Sequence, residues 1–372
     1  MQIQPETTNA STRVCRARTT LSDGIARPIA MDEPETPEAA LAIWLSSRIA
    51  GEFPYGAVLA AYRRGGKHFV PATLLDALAG VRAGLSAVRG SATSVPLLGR
   101  FLDTALDKPD GRFTNPTYLA LSLLPLPAKD DPNQEITAVE HRYDRLIVQL
   151  IADALHFEIA AADGATEFLP QLRPDRRITA KRCRLGLQAV GPAARRLGFD
   201  VSAAVDDPIA EARRLWTNLA AGLSREERRM LRLTMLPVSE IHDEYQFIRV
   251  LQSYEATFAL VAVQIQAAVR ALADGEGGPA RQRLEAAESA LREAAPLFSL
   301  VATMQTEAFQ TFRVYTEGAS AIQSRNYKIG ESLCRRPDAA RLDSIAYRSV
   351  PEVRAQVLDG QATLDEAFAA AR

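Results

Sequence analysis

From Thr36 to the C-terminus, apolar residues recur at helical spacing and period-2 alternation is almost absent. That single feature restricts the chain to packed helices, since half-buried strands would leave an alternating pattern. Thr36-Pro37-Glu38 supplies a capping hydroxyl, a first-turn proline and an acidic first turn for a helix through Ala50. Pro71–Arg89 carries Leu74, Leu75, Leu78, Val81 and Leu85 on one face, and residues 94–106 form a short helix closed by the turn Lys108-Pro109-Asp110-Gly111. Asn115-Pro116 opens a short apolar segment that stops at Pro125 and Pro127. Further helices are expected over Glu135–Ala161, Arg177–Leu197, Pro208–Leu223 and Arg225–Leu236. Two long ones, Ile241–Asp274 and Pro279–Val314, are joined by Gly275-Glu276-Gly277-Gly278, and Leu364–Ala371 is a terminal helix. No fixed-period repeat occurs, so the expected fold is an all-α helical bundle.

The 372 residues, 47% of them hydrophobic, are enough for one large core or two ordinary ones. The tail at 1–35 is polar, Thr- and Arg-rich and aperiodic, and is expected to be disordered. Residues 36–130 read as an N-terminal helical segment and 131–372 as the domain that holds the site, with the polar stretch Pro127–Glu135 as linker. A net charge of −1 argues against a nucleic-acid binder or a polybasic membrane-surface protein. Cys15, Cys183 and Cys334 lie too far apart for a disulfide scaffold or a cysteine zinc cluster, and Cys183 reads as a buried small apolar residue. Without a run of 18 apolar residues or an apolar signal core, the expectation is a soluble cytoplasmic protein.

The common catalytic signatures are missing: no His-Glu-x-x-His, no phosphate loop, no Gly-x-Ser-x-Gly and no Cys-x-x-Cys. Chemistry on a helical bundle without them is more easily supplied by a cofactor, and heme is the usual guest. Only four histidines are available as ligands. His68 follows a Gly-Gly-Lys loop and reads as solvated. His141 and His156 share one long helix, and fifteen residues bring them to within roughly 60° of each other around its axis. That side also carries Arg145, Gln149 and Asp153, which suits solvent or a polar cofactor edge. His242 precedes Asp243 and Glu244 at a helix start, where acidic residues are favoured.

The two long C-terminal helices are the most informative part. Phe247, Leu251, Tyr254 and Phe258 recur at i, i+4, i+7, i+11 and make one apolar face. Phe309 and Arg313 are one turn apart within Phe309-Gln310-Thr311-Phe312-Arg313-Val314-Tyr315. An arginine among aromatics can lay its stem on apolar surface, or its guanidinium can grip a carboxylate at two points, as an amino-acid substrate would require.

Taken together, Ile241-His242-Asp243-Glu244-Tyr245-Gln246-Phe247-Ile248 with Gln252 and Glu255, and Phe309-x-x-Phe312-Arg313-x-Tyr315 with Ala319-Ser320-x-x-Gln323-Ser324, resemble the tryptophan 2,3-dioxygenase superfamily of heme proteins. The order and separation of the two motifs are also similar, and the resemblance spans residues 241–330. It implies a bundle enclosing heme b, with rearranged N-terminal helices. It implies that Phe247 packs on the substrate ring, Arg313 binds the substrate carboxylate, Phe309 is its aromatic neighbour and Ser320 lies near the heme edge. The family's distal histidine falls on Leu251, and no histidine follows His242, although the family's proximal ligand lies downstream of the Arg motif. His242, His141 and His156 are therefore the alternative axial-ligand candidates, with His141 also a candidate base. These departures lean toward an oxygenase that hydroxylates an aromatic amino acid such as tyrosine in bacterial secondary metabolism, using O2 or H2O2. The alternatives are an indole-ring-cleaving dioxygenase and a non-catalytic heme-binding or scaffold protein. The resemblance also implies a homo-oligomer, dimer or tetramer.

Overall fold

The computed structural model describes residues 36–127 and 136–372; the expected tail at 1–35, with Cys15, and nearly all of the expected linker lie outside the described residues. Thr36 caps the first helix as its sequence demands: its hydroxyl accepts from the Ala39 N–H ahead of α1 (Pro37–Ser47), which ends in a left-handed Arg48. Then come α2 (Tyr55–Gly65), which the periodicity did not single out, α3 (Ala72–Ala83), α4 (Ser94–Ala105) and the one-turn α5 (Asn115–Tyr118). The helix expected over Pro71–Arg89 ends six residues early, at Ala83, with Gly84 after it. Leu41, Trp44, Leu59, Tyr62, Leu78 and Phe101 close into one apolar core, sealed from the far side of the chain by Leu233 and Leu236. Each such burial stabilises the fold by about 1.5–3 kcal/mol.

The second core is built by α6 (Ile136–Ala162), α7 (Arg176–Arg196), α8 (Pro208–Ala221), α9 (Arg225–Leu233), α10 (Asp243–Ala273) and α11 (Gly277–Ala294). Cys183 is fully buried within it, as expected, and burial pushes its thiol up to about 12. The chain closes with α12 (Pro296–Val301), α13 (Thr306–Arg313), α14 (Arg325–Cys334), α15 (Ala339–Leu342), α16 (Ile345–Arg348), α17 (Pro351–Leu358) and α18 (Leu364–Ala370). Among the described residues there is no strand, only the isolated bridges Ile49–Arg89 and Gln171–Ile241. The all-α class holds.

One element differs from the sequence reading in a way that matters. The helix expected over Pro279–Val314 is three helices. Pro296 lacks an N–H and starts α12 afresh, and Ala302–Gln305 leave the helix before α13 begins. Helix α10 runs unbroken for 31 residues and packs against α6, α11 and α14. It is long and apolar enough by composition to cross a membrane, but 61% of its most apolar window is buried inside the fold. Because α10 is enclosed, its polar side chains need protein partners. The Arg249 guanidinium meets Asp153 at 2.7 Å, the Leu231 carbonyl at 2.6 Å and Gln252 at 2.8 Å, while the Tyr245 hydroxyl donates to Asp153 at 2.6 Å. That network locks α6 and α9 onto the start of α10.

Candidate functional site

Phe247 and Leu251 lie one turn apart on α10, so they share a face. Helix α13 and the turn after it cross that face and enclose a cavity of about 800 Å³. Its wall includes Phe247, Leu251, Phe309, Arg313 and Ser320. All five residues named from the two sequence motifs thus meet at one cavity, of a size suited to a small organic ligand. Asn115 and Tyr118 also line it, delivered by α5 from more than a hundred residues away. Sequence spacing gave no signal for these two. The Asn115 N–H donates to the Gln323 side chain at 2.8 Å, which stitches α5 to the turn that Ser320 caps.

The aromatic side of the cavity is firmly packed. Phe247 meets Phe309 at 6.0 Å and Phe312 at 5.3 Å between ring centroids, and Phe312 is fully buried behind them. The Arg313 guanidinium sits 5.4 Å from the centre of the Phe309 ring. It makes no ion pair with any described residue, so its donors remain free for an anion. Glu317 lines the cavity one turn further on.

Tyr118 carries the cavity wall down to a buried carboxylate. Its hydroxyl donates to Glu244 at 3.1 Å, and Glu244 also accepts from the Val238 N–H at 2.6 Å, the Ser239 N–H at 3.1 Å and the Ser239 hydroxyl at 2.8 Å. The Val238–Ser239 backbone is pressed against Gly66, where a Cβ would stand 2.5 Å from the Ser239 nitrogen; only glycine fits, and its φ of +87° also requires it. Burial pushes Glu244 up to about 7, against the pull of those four donors. The ordinary value of this carboxyl is 4.5. The folded chain therefore holds the proton more tightly than the unfolded chain. This contribution to stability is complete below about 4.5 and is lost as pH rises through about 7. In urea denaturation at pH 5 and pH 8, the parent should lose about 2 kcal/mol more than Glu244→Gln over that interval. Equal slopes for the two proteins would show that the donors keep Glu244 at its ordinary value.

Helix α13 is held in place by charge buried beneath it. The Arg182 guanidinium bridges Glu158 and Asp243, each at 2.8 Å, and also donates to the Thr303 carbonyl and hydroxyl at 3.2 Å. The other oxygen of Asp243 accepts from the Gln305 N–H at 2.7 Å, and the Gln305 amide donates to the Leu172 carbonyl at 2.7 Å. Thus the non-helical residues that break the expected long helix are the ones this cluster grips.

The histidines fall in three different settings. His242 is fully buried, stacked on Phe157 at 4.8 Å, with Nε2 3.3 Å from Glu158. Its backbone is pinned by a bond from its N–H to the Gln171 carbonyl at 2.9 Å. Neither ring nitrogen makes a well-aligned hydrogen bond, and His242 is absent from the cavity wall. His156 is exposed and stacked on Trp216 at 4.6 Å. His141 is exposed near the other end of α6; the 16 helical steps from it to Phe157 correspond to about 24 Å of helix. His68 is exposed too, against Tyr315 at 4.9 Å. A heme in this cavity would need an axial donor, and the usual donors are His, Cys, Met or Tyr. Among the described residues Tyr118 is the only such side chain on the wall; it is committed to Glu244, and burial, with Glu244 beside it, raises its phenol well above the ordinary range. The described wall therefore offers an aromatic slot and a free guanidinium but no free axial donor, so a heme iron would have to be ligated from outside this wall.

No protein-family model and no solved structure matches the chain. Curated proteins do. A tryptophan 2,3-dioxygenase from Anaeromyxobacter sp. (strain K) is 34% identical over 106 residues, 28% of this chain and 40% of that protein. The same enzyme from Anaeromyxobacter dehalogenans (strain 2CP-C) is 34% identical over 102 residues, 27% of this chain and 38% of its own length. That from Polaromonas naphthalenivorans (strain CJ2) is 29% identical over 112 residues, 30% and 40% respectively. The chain spans about 40% of the length of these relatives. Over this shared part, which is under a third of its own residues, the chain is related to the tryptophan 2,3-dioxygenase superfamily.

Proposed function

We propose that the chain is an oxidoreductase of the heme-dependent dioxygenase type that takes an aromatic amino acid into the cavity between α10 and α13, with an indole side chain as the preferred ring. One observation carries the reading: Phe247, Leu251, Phe309, Arg313 and Ser320 line a single cavity. Arg313 binds the substrate carboxylate at two points, and Phe247 and Phe309 fix the ring plane and exclude water. The Tyr118 hydroxyl donates its hydrogen bond to Glu244, and its oxygen keeps lone pairs that can accept an indole N–H, a role the apolar Leu251 cannot fill. The names of the relatives favour the indole alternative over the tyrosine hydroxylation expected from the departures in the motifs. Heme enters this reading through those relatives and not through a donor on the wall.

The test is an absorption spectrum of the protein reconstituted with hemin and titrated with L-tryptophan and L-tyrosine, beside calorimetry of the same additions. A Soret band perturbed by L-tryptophan is expected. Calorimetric binding of the amino acid without any Soret band would leave an amino-acid-binding protein and remove the oxygenase. Binding of neither would overturn the reading.

A further inference from the structure

A second cavity, of about 380 Å³, lies between the start of α2 and the exposed side of α9, and the described function makes no use of it. Arg225, Arg228, Arg229 and Arg232 stand at i, i+3, i+4 and i+7 of α9, so their side chains form one stripe, and all four line this cavity. None of them makes an ion pair with any described residue. Of the two acids on the same helix, Glu227 is bound to Arg145 and to Gln149, and Glu226 is exposed and lies off the cavity wall.

The opposite wall carries the apolar Phe53, Pro54 and Leu59 and adds two polar features. Tyr55 and Gly56 form the first turn of α2, an 11-residue helix preceded by Pro54, which offers no side-chain cap. The orphan N–H groups and partial positive charge of a helix start therefore face the arginine stripe. Gly56 leaves the approach open, since a Cβ there would meet nothing nearer than Arg232 Nη2 at 3.9 Å. Tyr55 lines the cavity, and its buried hydroxyl has no hydrogen-bond partner among the described residues. Burial pushes its phenol up to about 12, with Arg229 pulling the other way, so it stays a donor at neutral pH. A buried donor without an acceptor is rare in folded proteins, and a ligand oxygen would complete it.

We propose that this cavity is a binding site for a phosphate-bearing small molecule, gripped by the four α9 arginines, the Tyr55 hydroxyl and the α2 N-terminus. Its volume, at the lower end of ligand sites, suits a compact multivalent oxyanion and not a long polymer. Planar guanidinium groups match phosphate oxygens two at a time, which explains arginine at every position of the stripe.

The experiment is isothermal titration calorimetry of the full chain with inorganic pyrophosphate at low ionic strength. One saturable site per chain is expected. Arg225→Gln/Arg232→Gln removes two exposed guanidinium groups and should weaken binding by roughly ten-fold or more. Tyr55→Phe should weaken it by about five-fold through loss of one buried donor. Arg348→Gln, an exposed arginine elsewhere, should leave the affinity unchanged. Thermal melts of each variant separate loss of site from loss of fold, and a folded double variant that binds like the parent overturns the proposal. So does the absence of saturable pyrophosphate binding. A single-stranded oligonucleotide that binds this face while pyrophosphate does not displace it would also overturn it, in favour of a nucleic-acid surface.

Discussion

Arg182→Ala is expected to destabilise the folded chain by about 3–5 kcal/mol, because it leaves two carboxylates buried and unpaired. Arg182, Glu158 and Asp243 are all fully buried, and Arg182 is the cation between them. Removing it also strips the Thr303 carbonyl of its donor and leaves the Thr303 hydroxyl only the Gln246 amide, at 3.4 Å. Arg182→Lys should recover only part of the loss, since an ammonium cannot span both carboxylates and the Thr303 carbonyl in one plane. The effect has a pH signature. Burial pushes Glu158 up, but His242 and Arg182 outweigh it and hold the carboxyl below its ordinary 4.5. A carboxyl held low stabilises the fold above its unfolded value and loses that contribution as pH falls. The gap between parent and Arg182→Ala should therefore narrow below about pH 4.5. Urea denaturation at pH 7 and pH 4 measures both effects. A difference under about 1 kcal/mol at pH 7 would mean that water or a rearranged side chain replaces the guanidinium.

That cluster also shows what the sequence could and could not reveal. The apolar face of α10 and the Phe309–Arg313 turn are local patterns, and local patterns survive folding: Phe247, Leu251, Phe309 and Arg313 reach the same cavity. Charged residues inside the fold give no such pattern. Arg182 reads in sequence as one more charge on a basic helix, yet it is fully buried and anchors α13. The break at Ala302–Gln305 was hidden for the same reason, since its residues leave the helix to meet partners on α7 and α10. Pro296 carried a local signal for the earlier break in its missing N–H, but the helix expected over Pro279–Val314 passes over it. Asn115 and Tyr118 are set in the wall by tertiary packing alone. The Arg225–Arg232 stripe, by contrast, was fully visible at helical spacing. A net charge of −1, summed over 372 residues, masked a strongly basic helix face.

Arg313→Ala should weaken binding of an aromatic amino acid by roughly thirty- to a hundred-fold, about 2–3 kcal/mol, if its free guanidinium receives the substrate carboxylate. The geometry makes the effect separable from packing. Arg313 ends α13 and rests on the Phe309 ring, whereas the aromatic wall of Phe247, Phe309 and Phe312 holds itself together by ring contacts. Truncating the arginine thus removes charge and leaves the ring slot standing. Tryptamine, which has the indole and the amine but no carboxylate, is the control ligand. The parent should prefer L-tryptophan to tryptamine, and Arg313→Ala should bind the two about equally. Arg313→Lys should fall between, because a point charge replaces a planar fork. Calorimetry of both ligands against the three proteins decides the matter. If tryptamine and L-tryptophan lose affinity in parallel, Arg313 acts by supporting the ring wall. If neither loses any, the carboxylate is bound elsewhere on the wall.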